Sequence, residues 1–337
     1  MTVDERVPLS SITTFKSGGL ASRVIHIQSV DDLAEARELL GTQPFYPLGE
    51  GSNVLPSDDG YDGTILKFEI PGIEFEEAGD ETRVICGAGV SWDALVTVAA
   101  ERNLWGIENL AGIPGTVGAA PVQNIGAYGA ELSHVLRSVD VYDMRDGSRT
   151  TLPASECGLA YRDSRFKHEK HLVIVRVTLA LSKVGTPRIE YGDLLRARDA
   201  GQDLSSPAAI GAVVRSIRAG KFPDLSVFGT AGSFFKNPIL TEEKYAELSL
   251  RYGTLPRFPN PSGVKVPLAF LLDKALTLRG FRMGNAHLFG AQPLVLVLDP
   301  GGTSSEIETL AREVESRVYD ATGIRIEREV RSLPERA

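Results

Sequence analysis

The hydrophobic positions of this chain change period several times, and each change marks an element. Residues 23–28 carry Val24, Ile25 and Ile27 in a short apolar run that reads as a strand. Ser29 then offers a capping hydroxyl. Leu33, Ala36 and Leu40 follow at helical spacing, which predicts a helix over 30–40 stopped by Gly41. Strands are predicted over 64–68 and 83–86. Between 91 and 103, Trp92, Leu95, Val98, Ala99 and Arg102 fall near one helical face. The stretch 138–144 alternates Val139 and Val141, and the turn Arg145-Asp146-Gly147 pairs it with the strand that follows. Another strand covers 172–181.

The stretch 185–206 is polar and turn-rich, and a boundary is placed there. Pro207 opens a helix through 219 with Ile210, Val213, Val214 and Ile217 on its buried face. A helix near 267–276 and a strand at 294–298 follow. Ile307, Leu310, Val314 and Val318 line a longer helix over 304–322, which Gly323 closes before a final strand at 324–330. Many strands and fewer helices, without strict alternation, predict an α+β fold rather than one doubly wound sheet.

At 337 residues, the chain is long for a single core, and its 42% hydrophobic and 24% charged residues are ordinary for a globular protein. A net charge of −8 argues against a broad nucleic-acid surface, which needs clustered cations. The first fifteen residues are polar and mixed in charge, without the apolar core of a secretory signal. No apolar run approaches the ~20 residues of a membrane span, so a cytoplasmic location without membrane insertion is expected. Cys86 and Cys157 match no metal spacing and read as reduced, buried thiols.

The densest unusual segment runs from Ile113 and Pro114 through Gly115, Gly118, Gln123, Asn124, Ile125, Gly126, Ala127 and Tyr128 to Gly129. Its seventeen positions hold four glycines and two prolines and few charges. Such backbone can bring its N–H groups close to a ligand, including a pyrophosphate. Gly49-Glu50-Gly51-Ser52-Asn53 offers the same chemistry in a shorter loop. Neither it nor Gly87-Ala88-Gly89 completes the dinucleotide pattern G-x-G-x-x-G, because Val54 and Trp92 occupy the last position. Tyr161–Lys167 carries three cations and an acid, which on spacing alone reads as a charged strand end. In Gly232-Ser233-Phe234-Phe235 the second aromatic stands where a nucleophile elbow needs glycine, which argues against a hydrolase serine and leaves proton donation by Ser233 open. His168 and His171 are one residue too close for a zincin pair and read as surface histidines.

Taken in order, Gly49–Asn53, Ile113–Gly129, Tyr161–Lys167, Gly232–Pro238 and Glu329-Val330-Arg331 resemble one family, the UDP-N-acetylenolpyruvoylglucosamine reductases (MurB), along nearly the whole chain. Tyr191-Gly192-Asp193-Leu194 resembles the tyrosine-bearing loop of that family's longer subtype. Two departures stand out: Thr13 precedes Thr14-Phe15 where the family often has Asn, and Arg328 replaces a frequent Pro.

The resemblance implies a two-part FAD-binding region of the vanillyl-alcohol-oxidase type over 1–67 and 68–206. A substrate-binding domain would follow over 207–337, its last stretch, 324–337, returning to the active site. It implies that the loops at 49–53 and 113–128 hold FAD, with NADPH as co-substrate and UDP-N-acetylglucosamine enolpyruvate as substrate. Arg162 and Glu329 would stabilise an enolate and Ser233 would protonate carbon. Tyr191, Lys221, Asn237, and His287 or Gln292 would contact the sugar nucleotide. A monomer with no nucleic-acid partner and no metal is expected. Two other readings remain open at this point. A flavin oxidase of the same fold would share the FAD loops without the Arg162–Ser233–Glu329 set, and a sugar-nucleotide binding module would carry no flavin.

Overall fold

The computed structural model describes residues 1–335. The end of the predicted 324–337 return, positions 336 and 337, lies outside the described residues. Two compact units are each assembled from separated stretches. The first takes Met1–Val7, Ala21–Glu50 and Asp62–Arg218; the second takes Pro8–Leu20, Gly51–Tyr61 and the residues from Ala219 onward.

In the first unit, a five-stranded sheet has the order Arg149–Pro153, Leu136–Asp143, Leu172–Ser182, Glu81–Gly87, Ile73–Ala78. Every neighbouring pair is antiparallel, with Val139 opposite both Leu152 and Val177, and Val177 opposite Cys86. Val84, Cys86, Val139, Val177, Leu179 and Leu181 turn their side chains into one core. Each such aliphatic residue contributes about 1.5–3 kcal/mol by leaving water. A second sheet orders Thr2–Pro8, Leu20–Ile27, Tyr61–Phe68, Phe45–Leu48, the last pair parallel with Leu48 beside Lys67.

The predicted helix at 91–103 is Trp92–Glu101, and its buried face is Trp92, Leu95, Val96 and Ala99. Val96 replaces the expected Val98, since positions four and seven beyond Trp92 complete the stripe. The helix Asp32–Leu40 begins where Ser29 Oγ accepts from the Asp32 amide at 3.3 Å, while the Asp32 carboxylate accepts from the amides of Gln28 and Ser29 at 2.8 and 2.9 Å. The turn-rich 185–206 contains an unexpected short helix, Gly192–Asp199. Only Asp193, Leu194 and Ala197 are buried along it, too few to show a period.

The second unit packs helix Ser304–Thr322 with the sheet Arg282–Met283, Ala286–Leu288, Leu296–Leu298. Thr303 and Glu306 form a reciprocal capping box at its start, and Gly323, in the left-handed region at φ 70°, ends it. Asp58 adds to that start by accepting from the amides of Ser304 and Ser305 at 2.9 and 2.8 Å. The region near 267–276 begins at Leu268–Phe270 and widens into a π-type turn over Leu271–Ala275. The final strand is displaced from its expected place: Arg331–Leu333 pairs in parallel with Val54–Pro56, while 324–330 forms no ladder and meets 234–236 through the isolated bridge of Arg328 with Phe235 and the hydrogen bonds beside it. Among the described residues no helix is long and apolar enough to cross a membrane, and no group of three or more His, Cys, Asp or Glu could hold a metal.

Candidate active site

In the first unit, the loop 113–129 is pinned along its length. Gly115 donates through its amide to the Glu50 carboxylate at 2.9 Å, and its carbonyl accepts from Trp92 N at 2.9 Å. Val117 and Gly118 donate to the carbonyls of Val90 and Ala88 at 2.8 and 2.9 Å. A Cβ on Gly118 would sit 2.5 Å from that of Ala88, and one on Gly49 would sit 2.5 Å from Thr116 Oγ1, so the backbones meet only because these side chains are missing. Ile113 and Ile125 pack on the core. Pro121–Gln123 makes one tight turn, after which Asn124 adopts φ 44°.

Asn124 is buried and its side chain is committed to the loop itself. Its Nδ2 donates to Glu131 and to the Ala160 carbonyl at 3.1 and 3.2 Å, and its Oδ1 accepts from Ser133 N at 2.9 Å. Gly126 and Ala127 pair with Glu131 and Ala130 in a two-residue ladder. Tyr128, at φ 49°, is buried, and burial pushes its hydroxyl up to about 12, with Arg218 beside it pulling the other way.

The structure ties the Arg162 segment to this loop. Ser164 Oγ donates to the Val122 carbonyl at 2.7 Å, and Arg162 Nη2 donates to the Gly126 carbonyl at 2.8 Å. Arg162 itself lies in the left-handed region at φ 55°, within a turn closed by Ala160 and Asp163. A non-glycine residue held there costs about 1–3 kcal/mol and persists only where its surroundings impose it. His168, as expected, is exposed and pairs with Asp163 at 3.0 Å. Tyr191 packs edge-on against Tyr128 with ring centroids 5.3 Å apart.

In the second unit, Gly51 has φ 68°, and a Cβ there would lie 2.4 Å from the Ile12 carbonyl. Thr14, of the N-terminal motif, donates through its amide to the Gly51 carbonyl at 3.2 Å and through its hydroxyl to the Thr230 carbonyl at 2.6 Å. Ser52 lies in the same half-buried turn, and Asn53 reaches the other predicted segment: its Nδ2 donates to the Glu329 carbonyl at 3.4 Å, and its own carbonyl accepts from Arg331 N at 3.1 Å.

Ser233 and Glu329 lie on adjacent extended segments. Ser233 bridges Val295, and the carbonyl of its neighbour Phe234 accepts from both Glu329 N (2.8 Å) and Val330 N (3.4 Å). Two consecutive amides sharing one carbonyl is a bulge pattern, which breaks strict side-chain alternation and re-aims what it carries. Phe234 and Phe235, both 1% exposed, belong to the second unit's core.

Arg328 shares its charge with two carboxylates of helix Ser304–Thr322. It pairs with Glu315 at 2.6 Å and Glu308 at 2.7 Å; burial disfavours its charge, but the two carboxylates prevail and raise its pKa. Asn237 Oδ1 accepts from Leu268 N at 2.9 Å and so starts a helix. Gln292 shapes the turn into Leu296–Leu298, its carbonyl accepting from Val295 N at 3.0 Å. His287 lies opposite Val297, 3.1 Å from Arg282 and 3.5 Å from Asp299; burial and then Arg282 lower its pKa against the pull of Asp299. Lys221 is half-buried at the end of helix Pro207–Lys221.

Residues 21–152 match the profile of the FAD binding domain, and residues 224–333 match that of the UDP-N-acetylenolpyruvoylglucosamine reductase C-terminal domain. The UDP-N-acetylenolpyruvoylglucosamine reductase of Chromobacterium violaceum is 40% identical over 335 residues, spanning 96% of both chains. The chain belongs to the MurB family. The Ralstonia nicotianae member is 38% identical across 97% of this chain and 98% of its own. The crystal structure of MurB from Thermus caldophilus superposes with a TM-score of 0.69 at 25% identity, covering 98% and 99% of the two chains. The expected α+β arrangement, an FAD-binding part followed by a MurB C-terminal domain, is thus the one found.

The first unit's loops suit the FAD of this family. Their left-handed backbone at Gly115 and Asn124, and the side-chain-free contacts at Gly49 and Gly118, leave peptide groups rather than bulk along the loop. The carboxylate of Glu50, otherwise a repulsive neighbour for phosphate, is engaged by the Gly115 amide.

Reading the sequence missed several supporting residues. Lys67 donates to the Gly49 carbonyl, and burial lowers its pKa. Arg218 donates to the Gly112 carbonyl at 2.9 Å and is likewise lowered by burial. Lys67 was detectable as a lone cation beside the buried run 63–66 and Phe68, where lysine is rare.

Proposed function

We propose that this chain is a UDP-N-acetylmuramate dehydrogenase: it reduces the enol-ether double bond of UDP-N-acetylglucosamine enolpyruvate with electrons from NADPH, in peptidoglycan precursor synthesis. The observation that carries the reading is the family match across 96% of the chain, joined by an arginine, Arg162, tied directly to the glycine-rich loop inside the FAD-binding match. The loops at 49–53 and 113–128 would hold FAD, which when bound takes up a hydride from NADPH and passes it to the substrate's terminal carbon.

The remaining chemistry belongs to this chain's side chains. Hydride addition at the terminal carbon leaves negative charge on the adjacent carbon and its carboxylate. Arg162 faces that charge with a planar, permanently protonated fork suited to a carboxylate. A site preorganised for charge that grows in the transition state lowers the barrier most. Its turn at φ 55° and its bond to Gly126 fix it before substrate arrives. Glu329 hydrogen-bonds the same developing enolate, and Ser233 delivers the second proton to carbon as a general acid. The Phe234 carbonyl, accepting from the amides of Glu329 and Val330, ties the backbone of Glu329 to the segment that carries Ser233.

Lys221 would meet the diphosphate, Tyr191 would close over the nucleotide, and Asn237, His287 or Gln292 would contact the sugar nucleotide. Residues 1–67, 68–206 and 207–337 are taken as two FAD-binding parts and a substrate part, in a cytoplasmic monomer of the longer, tyrosine-loop subtype. The deciding experiment follows NADPH oxidation with and without the UDP-linked enol ether. Oxidation that depends on the enol ether and yields UDP-N-acetylmuramate supports the reading. Oxygen consumption with simple sugars and no NADPH, or a colourless protein without flavin absorbance, would overturn it.

A further inference from the structure

Between the strand Leu172–Ser182 and the helix Gly192–Asp199, residues 183–191 form an exposed strap without helix or ladder. Tyr191 stands at its end. A segment of this kind opens easily unless side chains tether it. One tether comes from inside the core. Asn109, only 1% exposed, donates through the same Nδ2 to the Arg188 carbonyl and to the Tyr128 carbonyl, each at 2.8 Å. Both partners are carbonyls, so chemistry dictates which end of the amide faces them. Its other end, Oδ1, is buried without a hydrogen-bond partner, a cost that an apolar residue of the same size would spare. The two donated bonds are what asparagine contributes here. They fasten the flavin loop and the strap to one point, three residues before Tyr191, whose ring packs edge-on against that of Tyr128. The Arg188 side chain adds a second tie, its Nη1 lying 2.9 Å from His134 Nδ1.

We propose that Asn109 is a positioning residue for the sugar nucleotide, acting through Tyr191: one buried amide sets the strap against the flavin loop and so holds the tyrosine where it closes on its ligand. The inference rests on the reading of Tyr191 as a nucleotide contact, and its test separates the two.

The holoenzyme is compared as wild type, N109A, Y191A and the double variant, with N109S as a milder change should N109A fold poorly. Steady-state KM for the UDP-linked enol ether and the rate of flavin reduction by NADPH alone are measured for each. N109A should raise KM about tenfold while the NADPH step stays within about twofold, and in the Y191A background it should add less than about twofold, because the residue through which it acts is gone. Tryptic cleavage after Lys183 or Arg188, followed without substrate, should accelerate about tenfold in N109A, because a released strap fits a protease more readily. If Y191A raises KM but N109A changes neither KM nor cleavage of the strap, the inference fails while the reading of Tyr191 stands. If Y191A leaves KM unchanged, that reading fails and takes this inference with it. Equal loss from N109A in both backgrounds, or an equally slowed NADPH step, would also overturn it.

Discussion

The amide of Gly115 donates to the carboxylate of Glu50 at 2.9 Å, joining two loops that are far apart in sequence. Each loop taken alone was an ambiguous glycine-rich stretch. Here the carboxylate positions a loop peptide by accepting from its amide. Glu50→Ala should therefore loosen the loop and weaken flavin retention. A hydrogen bond to a charged group is worth about 1.5–3 kcal/mol, or about tenfold or more in affinity. Flavin fluorescence released on serial dilution measures this, with Glu50→Gln falling between the two.

Ser233→Ala separates the half-reactions. Flavin reduction by NADPH requires no proton for carbon and should proceed at its normal rate. Reoxidation by the enol ether should slow by about 10²-fold or more, as expected for loss of a general acid. Rapid-mixing absorbance spectra resolve the two steps, and an equal slowing of both would remove Ser233 from the proposed role.

Lys221→Ala should retain flavin and lose sugar nucleotide. In an acidic chain, a diphosphate needs a local cation, and a charge-assisted contact is about twice as strong as a neutral one. The expected signature is an increase of about tenfold or more in the enol-ether Kd with an unchanged flavin spectrum. Loss of the flavin instead would place Lys221 elsewhere.

Asp58 yields a prediction about acid stability. Burial works to raise its pKa, but the hydroxyl and amide of Ser305 and the amide of Ser304 outweigh that and hold the carboxylate below its ordinary value of 3.8. A depressed folded-state pKa contributes stability above the unfolded value and loses it as pH falls through the folded one. The wild type should thus lose Tm as pH drops below about 4, and Asp58→Asn should start lower near neutrality and show a shallower acid decline. Thermal melts from pH 3 to 7, with about half-unit steps, would show parallel curves if Asp58 played no part.

Much of this architecture was legible because its long elements repeat a period. The helix Ser304–Thr322 could be read from Ile307, Leu310, Val314 and Val318, all of them buried, and from the glycine that ends it. Helix Gly192–Asp199 and strand Thr2–Pro8 could not: the first buries three residues and the second is largely exposed, so neither leaves a stripe. The last strand was placed too early because 324–330 alternates charge with apolar residues, whereas the pairing that makes a strand belongs to Arg331–Leu333 and depends on Val54–Pro56, a partner no local pattern reveals. The glycine loops could be recognised by composition and Arg162 only by family resemblance, since its left-handed turn has no signature in Tyr161–Lys167. Asn124 drew notice for the ligand it would hold, and the bracing of the loop by its side chain was not foreseen.

The parallel pairing of Val54–Pro56 with Arg331–Leu333 has a consequence for biosynthesis. A ribosome delivers the early strand long before its mate, so during translation that edge stands unmatched while most of the polypeptide is still being made. Long-range parallel pairing of this kind forms slowly. The nascent second unit must therefore wait for the distal residues before it can close, a period in which a holding chaperone would find its apolar strand accessible.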